Sequence, residues 1–296
     1  MQYFLDLLLV GFSIGMVYGL VALGISLIFS GLDIIHFAHG EIYMLGAFVG
    51  LTIAQLTGLN FVVTLLLAMV CTGLIGVVIE RVFYRRLTRG GGGYTVAGMG
   101  MIICGFGMSI VLQNVAALIW GAMAKPLPYS FGMPFEMGGL VLPRTYLWII
   151  IATLVIGAGL HLFLKHTRLG LAVRAVAGNK EIASLMGINV SLMISLIFGV
   201  ACALAAAAGM LVAPINYIQV LMGIGILIKA FAAAVIGGFG SLPGAILGGI
   251  IVGITESLGA GYLSGSYKDV YAFLLLIFVL MVKPTGLFGI DTRMKA

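Results

Sequence analysis

Two histidines and two acids occupy the segment GLDIIHFAHGE, residues 31–41, of a chain otherwise dominated by apolar and small side chains. Asp33, His36, His39 and Glu41 carry the groups that bind metal ions and transfer protons in proteins. His36 and His39 lie about one helical turn apart. A catalytic zinc site, however, requires three protein ligands in good geometry, each oriented by further hydrogen bonds. We therefore predict no metal site here, and an intramembrane enzyme using His39 and Glu41 is kept as an alternative.

The overall composition places these polar groups in a membrane protein. Apolar residues make up 62% of the 296 residues and charged residues only 8%, and the mean hydropathy is +1.24. Such a chain cannot cover a water-facing surface with charged and polar groups. Because no Lys or Arg precedes the first apolar run, we expect that run to be kept as a membrane span and not removed as a signal peptide.

The apolar runs predict an all-α fold, a polytopic helical membrane bundle of eight to nine spans. The nine candidate spans lie near residues 7–30, 42–57, 61–80, 94–121, 145–165, 191–213, 224–239, 243–258 and 270–283. Three of them are short for a crossing that needs about 20 residues, namely 42–57, 224–239 and 243–258. We treat residues 1–296 as a single transmembrane domain with one long loop at 166–190.

The basic residues predict the orientation of the bundle. Eleven of the fifteen gather in three groups: Arg81, Arg85, Arg86 and Arg89; Lys165, Arg168, Arg174 and Lys180; and Lys283, Arg293 and Lys295. Positively charged loops stay in the cytoplasm. The amino terminus is therefore predicted outside and the carboxyl terminus inside. The net charge of +6 is explained by these loops and does not indicate nucleic-acid binding.

Glycine fills 44 positions, about twice its usual share of roughly 7%. Glycines four residues apart recur at Gly11, Gly15 and Gly19, at Gly46 and Gly50, and at Gly249 and Gly253. This spacing lets membrane helices approach closely, so we predict helix-packing stripes. AHGEIYMLGAFVG at 38–50 also resembles LPGAILGGIIVG at 242–253, which indicates a possible internal repeat.

The loop at 166–190 contains an amphipathic stretch that is too polar to cross the membrane. Its apolar side consists of Ala172, Ala175, Val176, Ile182, Ala183, Leu185 and Met186. The sequence predicts a helix over 172–188 that either lies in the lipid headgroups or docks into a groove of a partner protein. No phosphate-binding loop or dinucleotide motif occurs, so we predict no cofactor in this chain.

Several segments together resemble LivH-type permeases of branched-chain amino acid ABC transporters. They are SIGMVYGLVALGISLIF, IIHFAHGEIYMLGAF, RAVAGNKEIASLMGINV, KAFAAAVIGGFGSLPGAILGG and KPTGLFG, in that order between residues 13 and 289. The resemblance implies a permease in the bacterial inner membrane. It also implies a second, LivM-like permease subunit, two cytoplasmic ATPases that bind the ATP, and a periplasmic substrate-binding protein. The implied substrate is a branched-chain amino acid or a related amino acid, urea or amide.

The resemblance also assigns the loop at 166–190 to ATPase coupling. Glu181-x-Ala183-x-x-x-Gly187 resembles the E-A-A-x-x-x-G loop of ABC importer permeases, and Arg174 and Lys180 lie beside it. The second position is Ile182 instead of Ala, and the I-x-L-P tail of the pattern is absent. His36 is a further departure, because relatives often carry Asn there.

Polar residues inside apolar spans are the candidates for the translocation path or gate, because burying them in a membrane is unfavourable without a function. They are His36, His39, Glu41, Asn216, Gln219 and Lys229. Glu256 belongs with them, although it and Lys229 have a structural explanation as paired charges. Helix breaks are predicted at Gly40, Gly238, Gly240 and Gly244. We expect the turn around Gly40 to face the cytoplasm, with His39 and Glu41 anchoring it. The remaining alternative is a secondary transporter or channel that works alone.

Overall fold

The computed structural model describes residues 2–89, 94–137 and 140–289. Within them, eight helices are long and apolar enough to cross a membrane. The helices are α1 (Gln2–Leu32), α2 (His39–Thr57), α3 (Phe61–Ile79), α4 (Arg85–Arg89), α5 (Tyr94–Trp120), α6 (Arg144–His166), α7 (Arg168–Gly178), α8 (Lys180–Leu185), α9 (Val190–Val212), α10 (Met222–Gly237), α11 (Leu242–Tyr262) and α12 (Lys268–Val282). A π-helical turn, Glu80–Tyr84, joins α3 to α4. Two three-residue strands, Phe135–Met137 and Leu140–Leu142, pair antiparallel before α6.

The prediction of an all-α membrane bundle is confirmed. Each predicted span coincides with a helix, and the span predicted at 224–239 is α10, a helix of 16 residues. The predicted shortness of 42–57 and 243–258 is wrong, because α2 has 19 residues and α11 has 21. The extra residues include His39, Gly40 and Glu41, whose polarity had placed them outside the span. The basic residues Arg293 and Lys295 lie outside the described residues.

Helix α1 is the centre of the bundle. It packs against α2, α6, α7, α9, α10 and α11. In its most apolar window of 18 residues 72% are buried, whereas the corresponding share for α12 is 6%. Most side chains of α12 therefore remain on the outside, where apolar groups face lipid, although Ala272 is buried.

Glycines bring the central helices together, as their spacing predicts. A Cβ atom at Gly15 would meet the backbone of Gly249 and Ile250, and one at Gly253 would meet the backbone of Gly11 and Gly15. Helices α1 and α11 therefore touch backbone to backbone and run antiparallel. Similarly, Gly46 of α2 leaves room for Ala206 of α9, and Gly50 for Met210.

Helix α10 is held at both ends by other backbones. At its start, Gly223 lies against Gly40, so the amino-terminal ends of α2 and α10 meet; at its end, Gly237 lies against Gly244 of α11. The proposed repeat aligns Gly40 with Gly244. These two residues contact α10 at Gly223 and Gly237, which are about 21 Å apart along the helix. The carbonyls that end α10 are paired by the last described segment, because Leu287 N donates to Ile236 O at 2.8 Å and Phe288 N to Gly237 O at 3.0 Å.

The segment 33–41, which connects α1 to α2, is largely buried. His36, His39 and Glu41 are 1%, 0% and 1% exposed, although Asp33, at φ 58°, is exposed. The chain leaves α1, turns at Asp33 and re-enters the bundle, so α2 begins in the interior. His36 and Glu41 have hydrogen-bond partners inside the bundle, and the expectation that the turn around Gly40 faces the cytoplasm stays a prediction.

The loop at 166–190 also differs from the prediction of one continuous helix. Asn179 has extended backbone angles, φ −160° and ψ 116°, and its side chain accepts a hydrogen bond from Ile182 N as the cap of α8. The segment therefore folds as two short helices, α7 and α8. Val173, Val176 and Ala183 are buried, whereas Ile182, Leu185 and Met186 are exposed.

Candidate functional site

The candidate functional site is a cavity of about 810 Å³ at one end of the bundle. Residues of α1, α9, α10, α11 and the start of α12 line it, together with the connection between α9 and α10. The cavity reaches the surface beside Tyr217 and Leu221, which are 64% and 67% exposed. Small-molecule sites in proteins are typically clefts of about this size.

Two loops are joined beside the cavity. Lys125 N donates to Ile218 O at 2.9 Å and Ile218 N donates to Lys125 O at 2.8 Å, and the neighbouring Ala124 and Tyr217 line the cavity. This isolated bridge connects the α5–α6 loop to the α9–α10 loop. The rim of the cavity is therefore defined by backbone hydrogen bonds between loops that are distant in sequence.

Four ionisable side chains form a network in the cavity wall, which we call the vestibule network: Tyr18, Lys229, Glu256 and Asp269. Lys229 Nζ lies 2.6 Å from Glu256 Oε1 and 2.9 Å from Asp269 Oδ1. Tyr18 OH donates to Glu256 Oε2 at 2.7 Å, and Lys229 Nζ lies 3.4 Å from Tyr18 OH. The network joins α1, α10, α11 and α12 through charge-assisted hydrogen bonds, which are the stronger kind.

The glycine contacts explain why these side chains meet. Gly248 of α11 lies against Ala233 of α10, and Gly249 lies against Gly15 and Gly19 of α1. These contacts hold the backbones of α1, α10 and α11 close together. Glu256 lies about two turns after Gly249 on α11, and its side chain therefore reaches Tyr18 of α1 and Lys229 of α10. Ionisable groups inside a membrane protein are expensive to bury and are usually functional.

The structure divides the predicted path residues into two places. Asn216, Gln219 and Lys229 line the cavity. His36, His39 and Glu41 lie elsewhere, in a second, buried polar cluster around the start of α2. Glu256 joins the first set as the partner of Lys229.

The buried cluster at the start of α2 holds the polar groups of segment 33–41. Glu41 Oε1 accepts hydrogen bonds from Ser109 Oγ at 3.2 Å and Gln113 Nε2 at 3.3 Å. His36 Nδ1 lies 2.7 Å from Tyr84 OH, and the His39 ring packs against Gly24 of α1. These contacts attach α2 to α1, α5 and the π-helical turn.

This cluster does not have the form of a metal site. The rings of His36 and His39 are 6.1 Å apart between centroids and meet edge to face. Within the described part of the chain, no group of three or more His, Cys, Asp or Glu side chains is placed to hold a metal ion. Glu41 Oε2 instead faces the backbone of Gly223.

The predicted helix-break glycines have two different physical roles. Gly238 and Gly240 have φ values of 97° and 81°, which favour glycine, and they form the break between α10 and α11. Gly40 and Gly244 have no such φ, but neighbouring backbone leaves no room for a Cβ atom at either. The four residues therefore surround α10 at its two ends.

The predicted coupling residues lie on α7, α8 and the turn that follows. Arg174 and Glu181 are exposed, Ala183 is 2% exposed, and Lys180 Nζ lies 2.7 Å from Asp33 Oδ2. Gly187, at φ 81°, ends α8. Its N–H donates to Ser184 O, and Ile188 N donates to Ala183 O, both at 3.0 Å, which is the Schellman arrangement.

Sequence reasoning missed the buried ion pair between Glu80 and Arg85. Arg85 Nε and Nη2 donate to Glu80 Oε1 and Oε2 at 3.1 and 2.9 Å, and Ser195 Oγ of α9 donates to Glu80 Oε2 at 2.7 Å. The Glu80 side chain is 3% exposed. A spacing of five residues does not place two side chains together on an ordinary α-helix, but the π-helical turn does so here. The isolated Glu80 in an apolar span was the available signal.

The bundle of spanning helices, the open cavity with its ionic wall and the amphipathic α7–α8 unit define a multi-pass membrane transport protein. Residues 7–280 match the model of the family described as "Branched-chain amino acid transport system / permease component". The chain belongs to this family, and the prediction of a transport permease is confirmed. It is a membrane transport component.

Individual relatives agree with this assignment. The chain is 40% identical to the high-affinity branched-chain amino acid transport system permease protein BraD of Pseudomonas aeruginosa, over 97% of this chain and 96% of that protein. It is 38% identical to the permease protein LivH of Escherichia coli strain K12, with the same coverage of 97% and 96%. The solved structure of PsaBC from Streptococcus pneumoniae in complex with Fab shares the fold, with 16% identity, a TM-score of 0.51, and coverage of 100% of this chain and 96% of that chain.

Proposed function

We propose that this chain is a permease subunit of an ATP-driven importer that moves branched-chain amino acids across the bacterial inner membrane. The observation that carries the proposal is the α7–α8 unit, which exposes apolar side chains at its tip. Ile182, Leu185 and Met186 are 59%, 86% and 77% exposed. An apolar tip on a polar loop is suited to docking in a groove of a partner protein. The substrate class is carried over from the relatives.

The proposed partners are two cytoplasmic ATPases that bind the ATP, a second permease subunit and a periplasmic substrate-binding protein. ATP-driven closure of the ATPase pair would move the α7–α8 unit. The Lys180–Asp33 pair connects α8 to the end of α1, so this movement would pass to α1 and to segment 33–41. The bundle would thereby alternate between outward-open and inward-open states.

The proposed orientation puts the α7–α8 unit in the cytoplasm and the cavity mouth in the periplasm. Arg85 Nη2 donates to Ser191 O at 3.0 Å, and Lys180 pairs with Asp33. The end of α3, the start of α9, the end of α1 and α8 are therefore neighbours. Basic residues concentrate at this end, as expected of a cytoplasmic face. The binding protein would then deliver substrate at the opposite end.

Replacing Leu185 by Glu tests the docking role. We expect the permease to retain its fold, because Leu185 is 86% exposed, and to bind the ATPases about tenfold more weakly or worse. Co-purification of the tagged permease with its ATPases measures this association. The matched control is Leu185→Met, which keeps an apolar side chain of similar size. Unchanged co-purification of Leu185→Glu would show that α8 does not dock.

Reconstitution tests the importer itself. The proteoliposomes contain the permease pair and the ATPases, and the loaded binding protein is added on the opposite side of the membrane from the ATPases. They are expected to accumulate leucine only when ATP is present on the side of the membrane where the ATPases lie. Accumulation that persists without ATP would instead favour a transporter that works alone.

The buried cluster at the start of α2 gives a separate prediction. Replacing His39 and Glu41 by Ala should reduce transport about tenfold, because Ser109 and Gln113 lose their acceptor inside the bundle. The metal content of the purified protein should not change. The control is His161→Ala, since His161 is exposed on α6. Loss of a bound metal in the double variant, measured by elemental analysis, would restore the metal-site hypothesis.

A further inference from the structure

In the vestibule network, one lysine is paired with two carboxylates, whereas a structural ion pair needs only one. The protonated lysine side chain, an ammonium group, has three N–H donors. In Lys229 they face Glu256 Oε1 at 2.6 Å, Asp269 Oδ1 at 2.9 Å and, more distantly, Tyr18 OH at 3.4 Å. One cation therefore holds two carboxylates, so one of them is exchangeable without leaving the lysine unpaired.

Exposure identifies the exchangeable carboxylate. The side chains of Lys229 and Glu256 are 9% and 11% exposed, whereas that of Asp269 is 62% exposed. Glu256 is also fixed by Tyr18, whose hydroxyl donates to it at 2.7 Å. Asp269 lies in the first turn of α12, the most peripheral helix of the bundle. Asp269 is therefore the mobile partner, and Lys229, Glu256 and Tyr18 form the fixed part.

The charges lining the cavity are balanced. Lys229 and Lys268 contribute two positive charges, and Glu256 and Asp269 contribute two negative charges. A neutral ligand that carries both signs, such as a zwitterion, leaves this balance undisturbed. A simple anion or cation of the same size leaves one charge without a counterpart in a partly desolvated site, which is unfavourable.

Apolar side chains lie next to the charges. Ile14, Val212, Met222 and Ile226 line the same cavity, and Ile226 is one turn before Lys229 on α10. A ligand whose charged end meets the vestibule network therefore has apolar surface beside it. This combination fits an α-amino acid with an aliphatic side chain.

We propose that the vestibule network recognises the α-ammonium and α-carboxylate groups of the transported amino acid. The substrate carboxylate replaces Asp269 on the amine of Lys229, and the released Asp269 carboxylate accepts hydrogen bonds from the substrate ammonium. Glu256 and Tyr18 keep Lys229 in place. Every charge is paired before and after the exchange, and no covalent bond changes. The substrate class rests on the proposed function, whereas the residues and their roles do not.

The exchange also suits transport. The substrate gains ion pairs while Lys229 gives up one of similar strength, so binding remains weak. A permease needs a site that is favourable enough to enter and weak enough to leave. Tight selection is then the task of another component, and the network excludes ligands of the wrong charge.

Ligand-observed NMR on the complete permease–ATPase complex in nanodiscs, without binding protein, tests the proposal. The probes are leucine, 4-methylpentanoate, which lacks the ammonium, and 3-methylbutylamine, which lacks the carboxylate. We expect saturation transfer to leucine and at least about tenfold weaker binding of both analogues, since each loses a charge-assisted pair. Asp269→Asn should weaken leucine binding to the level of 4-methylpentanoate, and Asp269→Glu should restore it.

The matched control is Arg86→Gln, which removes an exposed charge at the other end of the bundle. It should leave leucine binding unchanged. Melting temperatures of the variants separate loss of binding from loss of fold. The inference would be overturned by equal binding of leucine to wild type and Asp269→Asn, or by no binding to wild type at about 10 mM leucine, which would nearly saturate a site of millimolar Kd. ATP-driven leucine uptake in that case would leave the proposed function standing.

Discussion

Gly249→Leu is expected to prevent the bundle from assembling. A Cβ atom at Gly249 would already overlap the backbone of Gly19, and it would lie 2.6 Å from Gly15 O. Backbone cannot move aside as a flexible side chain does, so α1 and α11 would have to separate along their whole contact. Overpacking a core costs about 1–3 kcal/mol and occasionally more, and this site lies at the upper end because both contact surfaces are backbone.

Size-exclusion chromatography and thermal unfolding in detergent measure this effect. The matched control is Gly159→Leu on α6, because a Cβ atom there meets no atom within 4 Å. Leucine is also the better helix former, so the control should unfold at the wild-type temperature or slightly above it. A Gly249→Leu protein that elutes and melts like the wild type would contradict the tight α1–α11 packing.

Arg85→Met is expected to destabilise the protein by an amount comparable to Gly249→Leu. The side chain of Glu80 is 3% exposed and is held by both Arg85 and Ser195. Removing the arginine leaves a carboxylate in the bundle without its counter-charge. Breaking a buried pair in this way typically destabilises a protein by about 3–5 kcal/mol. The junction between the π-helical turn and the start of α9 should therefore loosen first.

A double variant separates the ion pair from packing. Replacing Glu80 by Leu in the Arg85→Met background removes the unpaired charge, and this change should recover most of the lost stability. Arg86→Met serves as the surface control, because Arg86 is exposed, and it should change the free energy of unfolding by about 0.5 kcal/mol or less. If Arg85→Met melts like the Arg86→Met control, the Glu80–Arg85 pair contributes nothing to stability.

Much of the fold was readable from the sequence because its signals are local. Each spanning helix is a continuous apolar run, and the stripe Gly11, Gly15 and Gly19 follows from a spacing of four residues. The break between α10 and α11 is also local, since Gly238 and Gly240 are glycines that Pro243 follows closely. These features need no knowledge of which helices are neighbours.

The candidate site was only partly readable, because it depends on contacts between distant segments. Tyr18 meets Glu256 across 238 positions, and no pattern in the sequence links them. Lys229, Asn216 and Gln219 were selected for their polarity alone, and the same criterion selected His36, His39 and Glu41, which lie in another cluster. Polarity indicates that a buried residue needs a partner, but it does not identify that partner.

One local prediction failed, and one ion pair was missed, where the backbone departs from regular geometry. The π-helical turn at Glu80–Tyr84 shifts the helical register, so that Arg85 reaches Glu80. Asn179 divides the predicted coupling helix by adopting an extended conformation. The side chains of Glu80–Tyr84 are compatible with an uninterrupted α-helix, whereas Asn179 is a favoured helix cap, a local signal that the prediction did not use.

The pairing of Leu287 and Phe288 with the end of α10 has a consequence for biosynthesis. The carbonyls of Ile236 and Gly237 receive these N–H partners only after about 50 further residues have been added, which takes about 3–10 s at bacterial and eukaryotic elongation rates. Unpaired carbonyls are unfavourable inside a membrane. During those seconds the carbonyls of Ile236 and Gly237 lack these partners. A stop codon placed before Leu287 would leave both carbonyls without them permanently.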